Sequence, residues 1–190
     1  MWMLQRNNKG ISQRVSLIAL FTALSVSTNY LLFPLPNVAL MDAIVFSSAA
    51  VIDLYVGLSV AILSWLVYGV FNPLGGSYMV IFTAPSELVY VLFAALFRWY
   101  LLKLKQNSIF ELVSISSLFA FFSTLCYDLI TNGVTGLLWY NSIIMGLLTM
   151  NFPIPMGIIH EVSNMVLFPV ILSLFFKFYG SNDGGENNEI

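Results

Sequence analysis

The chain has 190 residues, of which 59% are hydrophobic and 8% charged, with a mean hydropathy of +0.89. Charged residues make up about a quarter of an ordinary soluble domain, so these few cannot coat so apolar a chain, and the composition excludes a soluble globular protein. The net charge of −2 singles out no class of partner, no nucleic-acid partner is expected, and the single cysteine, Cys126, excludes an internal disulfide framework. Long apolar runs rather than short alternating ones predict an all-α polytopic membrane protein.

Residues 1–11 are polar and are expected at the membrane surface. The first helix is predicted over 12–33 and stops at Pro34 and Pro36. Its leading basic residues resemble those of a signal peptide, but the run is as long as a span and lacks a small-residue cleavage site. Ser12, Ser16, Ala19, Ala23 and Ser27 recur every three or four residues. Such a stripe lets two helix backbones approach closely, either inside the bundle or against another protein.

Residues 43–71 would measure about 43 Å as one helix, against a hydrocarbon core of about 30 Å. Asp53 falls near the middle of this run and Gly57 follows it. These residues predict a turn between a second helix (38–52) and a third (55–71). Asn72–Ser77 (NPLGGS) reads as a loop. Further helices are predicted over 80–104, 108–132 and 154–177. Val134–Met150 is expected to form a short outer helix or re-entrant piece leading to Pro153 and Pro155. Residues 1–180 form one membrane domain, and the acidic tail 181–190 is expected to be disordered.

Charge asymmetry tests the split at Asp53. The basic residues are Arg6, Lys9, Arg14, Arg98, Lys103, Lys105 and Lys177. Six spans put all of them on one side, which the positive-inside rule assigns to the cytoplasm. Both termini are then cytoplasmic. A single span over 43–71 would scatter the charges to both sides.

This topology gathers Asp42, Glu87, Asp128, His160 and Glu161 in the outer half of the membrane, with no lysine or arginine among them. Asp128 with Asn132, and His160 with Asn164, are each four residues apart, which stacks each pair on one helix face. Ionisable groups at such depth are costly and mark function. For Asp42, a helix cap or headgroup contact accounts for the position equally well. Tyr90, Tyr127, Trp139 and Tyr140 lie nearby and would serve as interface anchors or as stacking surfaces. The candidate substrate-binding residues are therefore Glu87, Asp128, Asn132, Trp139, Tyr140, His160 and Asn164. Carboxylates with aromatics suit a cationic or neutral heterocycle, and an anion would lack a counter-charge.

Several of these residues carry a family resemblance. The Ala19-xxx-Ala23 pair, the proline-rich first loop, Asp42, the Asp53–Gly57 hinge, Tyr127 to Asn132 (YDLITN), Phe152-Pro153, and His160 with Ser163 and Asn164 together resemble the S components of energy-coupling factor (ECF) vitamin transporters. The resemblance runs along the whole helical length. It implies a plasma-membrane subunit that captures a water-soluble vitamin near the outer face and is not itself an enzyme. It also implies docking through Ala19 and Ala23 onto a membrane scaffold carrying two ATPases. ATP would be used by those partners, consistent with the lack of a GxxxxGK[ST] loop here. No cofactor or metal of its own is expected, and the ligand would be thiamine-like, cationic or neutral.

Other classes fit less well. His160 to Asn164 (HEVSN) lacks the second histidine of an HExxH zinc site. No GxSxG motif accompanies the sole histidine. A stand-alone secondary transporter for a small polar or cationic solute would usually show paired repeats with broken helices, and no repeat is evident. An assembly protein whose polar groups only pack helices is the remaining alternative.

Overall fold

The computed structural model describes residues 10–71, 80–103, 108–151 and 156–179, and each regular element among them is helical. The helices are α1 (Ile11–Leu32), α2 (Met41–Ser47), α3 (Leu54–Val70), α4 (Val80–Ser86), α5 (Leu88–Lys103), α6 (Ile109–Tyr140), α7 (Ile143–Gly146) and α8 (Met156–Tyr179). α2 runs into a π-helical turn, Ser48–Ile52, and α7 into another, Leu147–Asn151. The expectations for the 72–77 loop, for Pro153 and Pro155 and for the acidic tail lie outside the described residues.

Four stretches are long and apolar enough to cross a membrane: Ile11–Leu32, Val80–Leu101, Ile109–Tyr140 and Gly157–Tyr179. Met41–Ile52 and Leu54–Val70 are shorter apolar helices. Large side chains such as Leu20, Leu92, Phe122 and Val166 are exposed on the outside of the bundle. A helix that is hydrophobic all round needs apolar surroundings on every side. The protein is an all-α membrane protein.

α2 is the axis of the bundle. All its residues, Met41 to Ser47, are buried, and α1, α3, α5 and α8 pack around it. The Phe46 ring sits 5.4 Å from Phe97 of α5 and 5.0 Å from Phe168 of α8, centroid to centroid. Interlocking aromatics of this kind fix the distance at which three helices pack.

The break at Asp53 has a clear cause. Asp53 is extended (φ −165°, ψ 141°), and its carboxylate accepts the Tyr55 amide at 2.7 Å, capping α3. Arg14 of α1 pairs with the same carboxylate at 3.2 Å. Gly57 then lets α3 lie on the π-helical turn, since a Cβ there would come within 2.3 Å of the Ala49 Cβ. Arg98 of α5 donates to the Ala49 carbonyl at 3.2 Å, partnering a carbonyl in this irregular turn.

Two boundaries differ from the sequence reading. The helix predicted over 80–104 is interrupted after Ser86, where Pro85 removes one amide from the ladder. Glu87 is the joint between α4 and α5. The helix predicted to end at Asn132 continues to Tyr140, so the first residues of the expected outer piece belong to α6. Asn141, in the left-handed conformation (φ 49°), then turns the chain back. α7 lies so close on α6 that a Cβ on Gly136 would fall 2.4 Å from the Gly146 Cα.

The small-residue stripe of α1 faces outward. Ser12, Ser16, Ala19, Ala23 and Ser27 are all exposed, whereas Phe21 and Ser25 turn into the bundle. The stripe does not pack inside this chain's own bundle.

Candidate functional site

Among the described residues a polar cluster lies inside the apolar bundle, built from side chains of α2, α3, α5, α6, α8 and the α4–α5 joint. Asp42 occupies the first turn of α2, where the free amides of a helix N-terminus favour a negative group. Its Oδ2 accepts three hydrogen bonds from two other elements. Tyr90 Oη of α5 donates at 3.1 Å, Asn164 Nδ2 of α8 at 2.8 Å, and His160 Nε2 of α8 lies at 2.9 Å. The spacing of four residues brings His160 and Asn164 to the same carboxylate from successive turns of α8.

His160 also reaches α6. Its Nδ1 lies 3.0 Å from Asp128 Oδ1 and 3.1 Å from Oδ2. Both ring nitrogens thus face carboxylates, and an imidazole donates at both positions only in its protonated form. Asn164 Nδ2 extends the network to Thr124 Oγ1 at 2.9 Å, and Tyr90 Oη lies 3.5 Å from the same hydroxyl. Asn164 must present its amide nitrogen here, because an ionised carboxylate only accepts.

Glu87, at the α4–α5 joint, closes the cluster. Its Oε2 accepts the indole N–H of Trp65 on α3 at 2.7 Å, and its carboxyl faces Asp42 and His160. Tyr90 and Tyr127 stack beside the cluster with centroids 5.4 Å apart, and Tyr127 meets the His160 ring edge-on at 6.2 Å.

Burial is nearly complete: Asp42 is 4% exposed, Asp128 6%, His160 9%, and Glu87 and Asn164 0%. Hydrogen bonds to charged partners in such a setting contribute about 1.5–3 kcal/mol each, and removing one partner from a buried pair costs about 3–5 kcal/mol. The balance is nonetheless uneven, with three carboxyl groups and one imidazole. Two acceptors, Glu87 Oε1 and Asn164 Oδ1, meet no hydrogen-bond donor among the described residues.

The cluster brings together Glu87, Asp128, His160 and Asn164 of the candidates named from sequence. It does not include the other three. Trp139 and Tyr140 are 45% and 47% exposed, and Trp139 lies about 16 Å along α6 from Asp128 at 1.5 Å per residue. Asn132 is half-buried, and its carbonyl backs onto Gly146 of α7. The α6 pair that serves the cluster is Thr124 with Asp128, one turn earlier than Asp128 with Asn132.

Asp42, Trp65, Tyr90 and Thr124 are the members that sequence reasoning did not select. Applying the same four-residue spacing backwards from Asp128 finds Thr124, and a spacing of three from Glu87 finds Tyr90. Asp42 carries no such signal. Its position one residue after the start of an apolar run is equally that of a helix cap.

Among the described residues no group of three or more His, Cys, Asp or Glu is arranged to hold a metal ion. The geometry explains this for His160, whose two ring nitrogens are both engaged by carboxylates. An apolar groove between α3 and α5, lined by Leu54, Tyr55, Leu58, Leu88, Val91 and Leu92, includes none of the cluster's residues. No known protein family, curated protein or solved structure matches the chain.

Proposed function

We propose that this protein is the membrane-embedded binding subunit of an ECF-type uptake system, taking up a small, water-soluble, vitamin-like solute. One observation carries the reading: a buried cluster of Asp42, Glu87, Asp128, His160 and Asn164 retains two acceptor atoms that nothing in the described protein satisfies. Native interiors seldom leave such atoms unmet, and ionisable groups in a membrane bundle mark substrate sites. The exposed stripe around Ala19 and Ala23 supports a docking face for the scaffold subunit. In this reading the chain crosses the plasma membrane six times with both termini in the cytoplasm, and two partner ATPases supply the energy. It performs no chemistry on its ligand.

Native mass spectrometry of the detergent-purified protein tests this directly. A co-purified molecule of vitamin-like mass is expected. An empty protein that also shows no thermal shift with any of a panel of water-soluble vitamins would sink the proposal.

The histidine held between two carboxylates favours one further reading, a stand-alone proton-coupled carrier, because such groups also relay protons in transporters. Uptake into proteoliposomes containing this chain alone, driven by a pH gradient, would decide for the carrier. Uptake only when ATPase partners and ATP are present would decide for the binding subunit.

A further inference from the structure

Resting on the reading of the cluster as a binding site, we infer that its ligand presents a positively charged nitrogen that still bears hydrogens, a primary ammonium or an amidinium-like group. The argument is an inventory of donors and acceptors. The cluster's own donors are the Trp65 indole, the Tyr90 hydroxyl, the His160 ring and the Asn164 amide, and each is engaged by Glu87, Asp42, Asp128 or Thr124. Within the cluster, two oxygens lack a protein donor: Asn164 Oδ1 and Glu87 Oε1, both on residues with no exposure, the Glu87 carboxyl lying against that of Asp42. The Asn164 amide cannot be turned to repair this, because its oxygen would then face the Asp42 carboxylate.

Charge points the same way. Three carboxyl groups share one imidazole, and two basic side chains among the described residues, Arg98 and Arg14, are engaged elsewhere. Arg98 reaches the Ala49 carbonyl, and Arg14 pairs with Asp53. A buried group of like charges is stabilised by an added cation. A nitrogen cation bearing hydrogens supplies the charge and the missing donors together. A quaternary nitrogen supplies the charge and leaves both acceptors unmet. A neutral alcohol supplies a donor without charge, and an anion adds to the repulsion. The tilted rings of Tyr90 and Tyr127, 5.4 Å apart, supply aromatic faces beside the cluster for such a cation.

Three matched probes separate these cases on the unmodified full-length protein in detergent: benzylammonium, benzyltrimethylammonium and benzyl alcohol. Calorimetric titration is expected to show benzylammonium binding at least about tenfold more tightly than either of the others, the scale set by one hydrogen bond to a charged group. In a Glu87→Gln variant with an unchanged melting temperature, that preference is expected to collapse. Equal or tighter binding of the quaternary or neutral probe overturns the inference and leaves the binding-site reading standing. Silence from all three probes also overturns it, and native mass spectrometry then decides the parent reading. A co-purified molecule without a protonated nitrogen would mean that only the ligand class is wrong, and an empty protein would mean that the binding site falls too.

Discussion

Removing the Asp42 side chain is the sharpest test of how the bundle is held together. Asp42 Oδ2 accepts from Tyr90, His160 and Asn164, so Asp42→Ala removes three bonds at once. The full loss is smaller than three charged hydrogen bonds, because His160 keeps Asp128 while Tyr90 and Asn164 keep Thr124. It is also offset by relief of repulsion between Asp42 and the facing Glu87. The range for breaking a buried charged pair, about 3–5 kcal/mol, is therefore the appropriate scale. At about 2–4 °C per kcal/mol for a chain of this size, the melting temperature should fall by roughly 6–20 °C. Asp42→Asn keeps one acceptor oxygen and the side-chain shape, so it should lose less. Thermal unfolding in detergent, followed by dye labelling of the half-buried Cys126, measures both variants. A melting temperature for Asp42→Ala within about 2 °C of the parent, less than 1 kcal/mol on this scale, would refute the view that Asp42 ties the helices together.

Other expectations can be checked with the same material. Leucine at both Ala19 and Ala23, which are exposed, should change stability by no more than about 0.5 kcal/mol and spare ligand binding, yet block uptake with the scaffold present. Undiminished uptake would make the stripe incidental. Gly136→Val should cost about 1–3 kcal/mol or more by forcing α7 off α6, whereas Gly10→Ala, with nothing within 4 Å of its Cβ, should leave the melting temperature unchanged. Asp128→Asn should weaken binding of the co-purified ligand by about tenfold or more. Alanine at both Trp139 and Tyr140, by contrast, should leave that affinity within about twofold, since surface changes away from a site seldom exceed about 0.5 kcal/mol.

Much of the helical plan was legible because apolar runs of membrane length are punctuated by proline and by one buried-looking aspartate. The turn at Asp53 followed from a run too long for one span, and its extended backbone and cap at Tyr55 agree with that reasoning. The end of α6 was misread at Asn132-Gly133. The run over 134–150 reads as a separate outer piece, whereas α6 continues to Tyr140 and α7 presses on its Gly136. That misreading displaced the expected site towards Trp139 and Tyr140. Pro85 lies inside a run that otherwise reads as one helix, so the joint at Glu87 is invisible to periodicity. Asp42 was undervalued because local pattern cannot tell a cap from the centre of a network. Its partners lie far away in the chain, and only tertiary structure names them. The same structure adds a stability role to Asp128 and His160 that their spacing alone does not suggest.

The reach of that network has a consequence for how the protein is made. Asp42 and His160 are 118 residues apart. At a synthesis rate of roughly 5–20 residues per second, Asp42 is translated about 6–24 s before the histidine that will partner it. Of the Asp42 partners, only Tyr90, 48 residues downstream, is made early in that interval. A chain truncated before α8 can never complete the bond. Arrival of α8 therefore completes the network, adding His160 and Asn164 to a carboxylate that Tyr90 already meets.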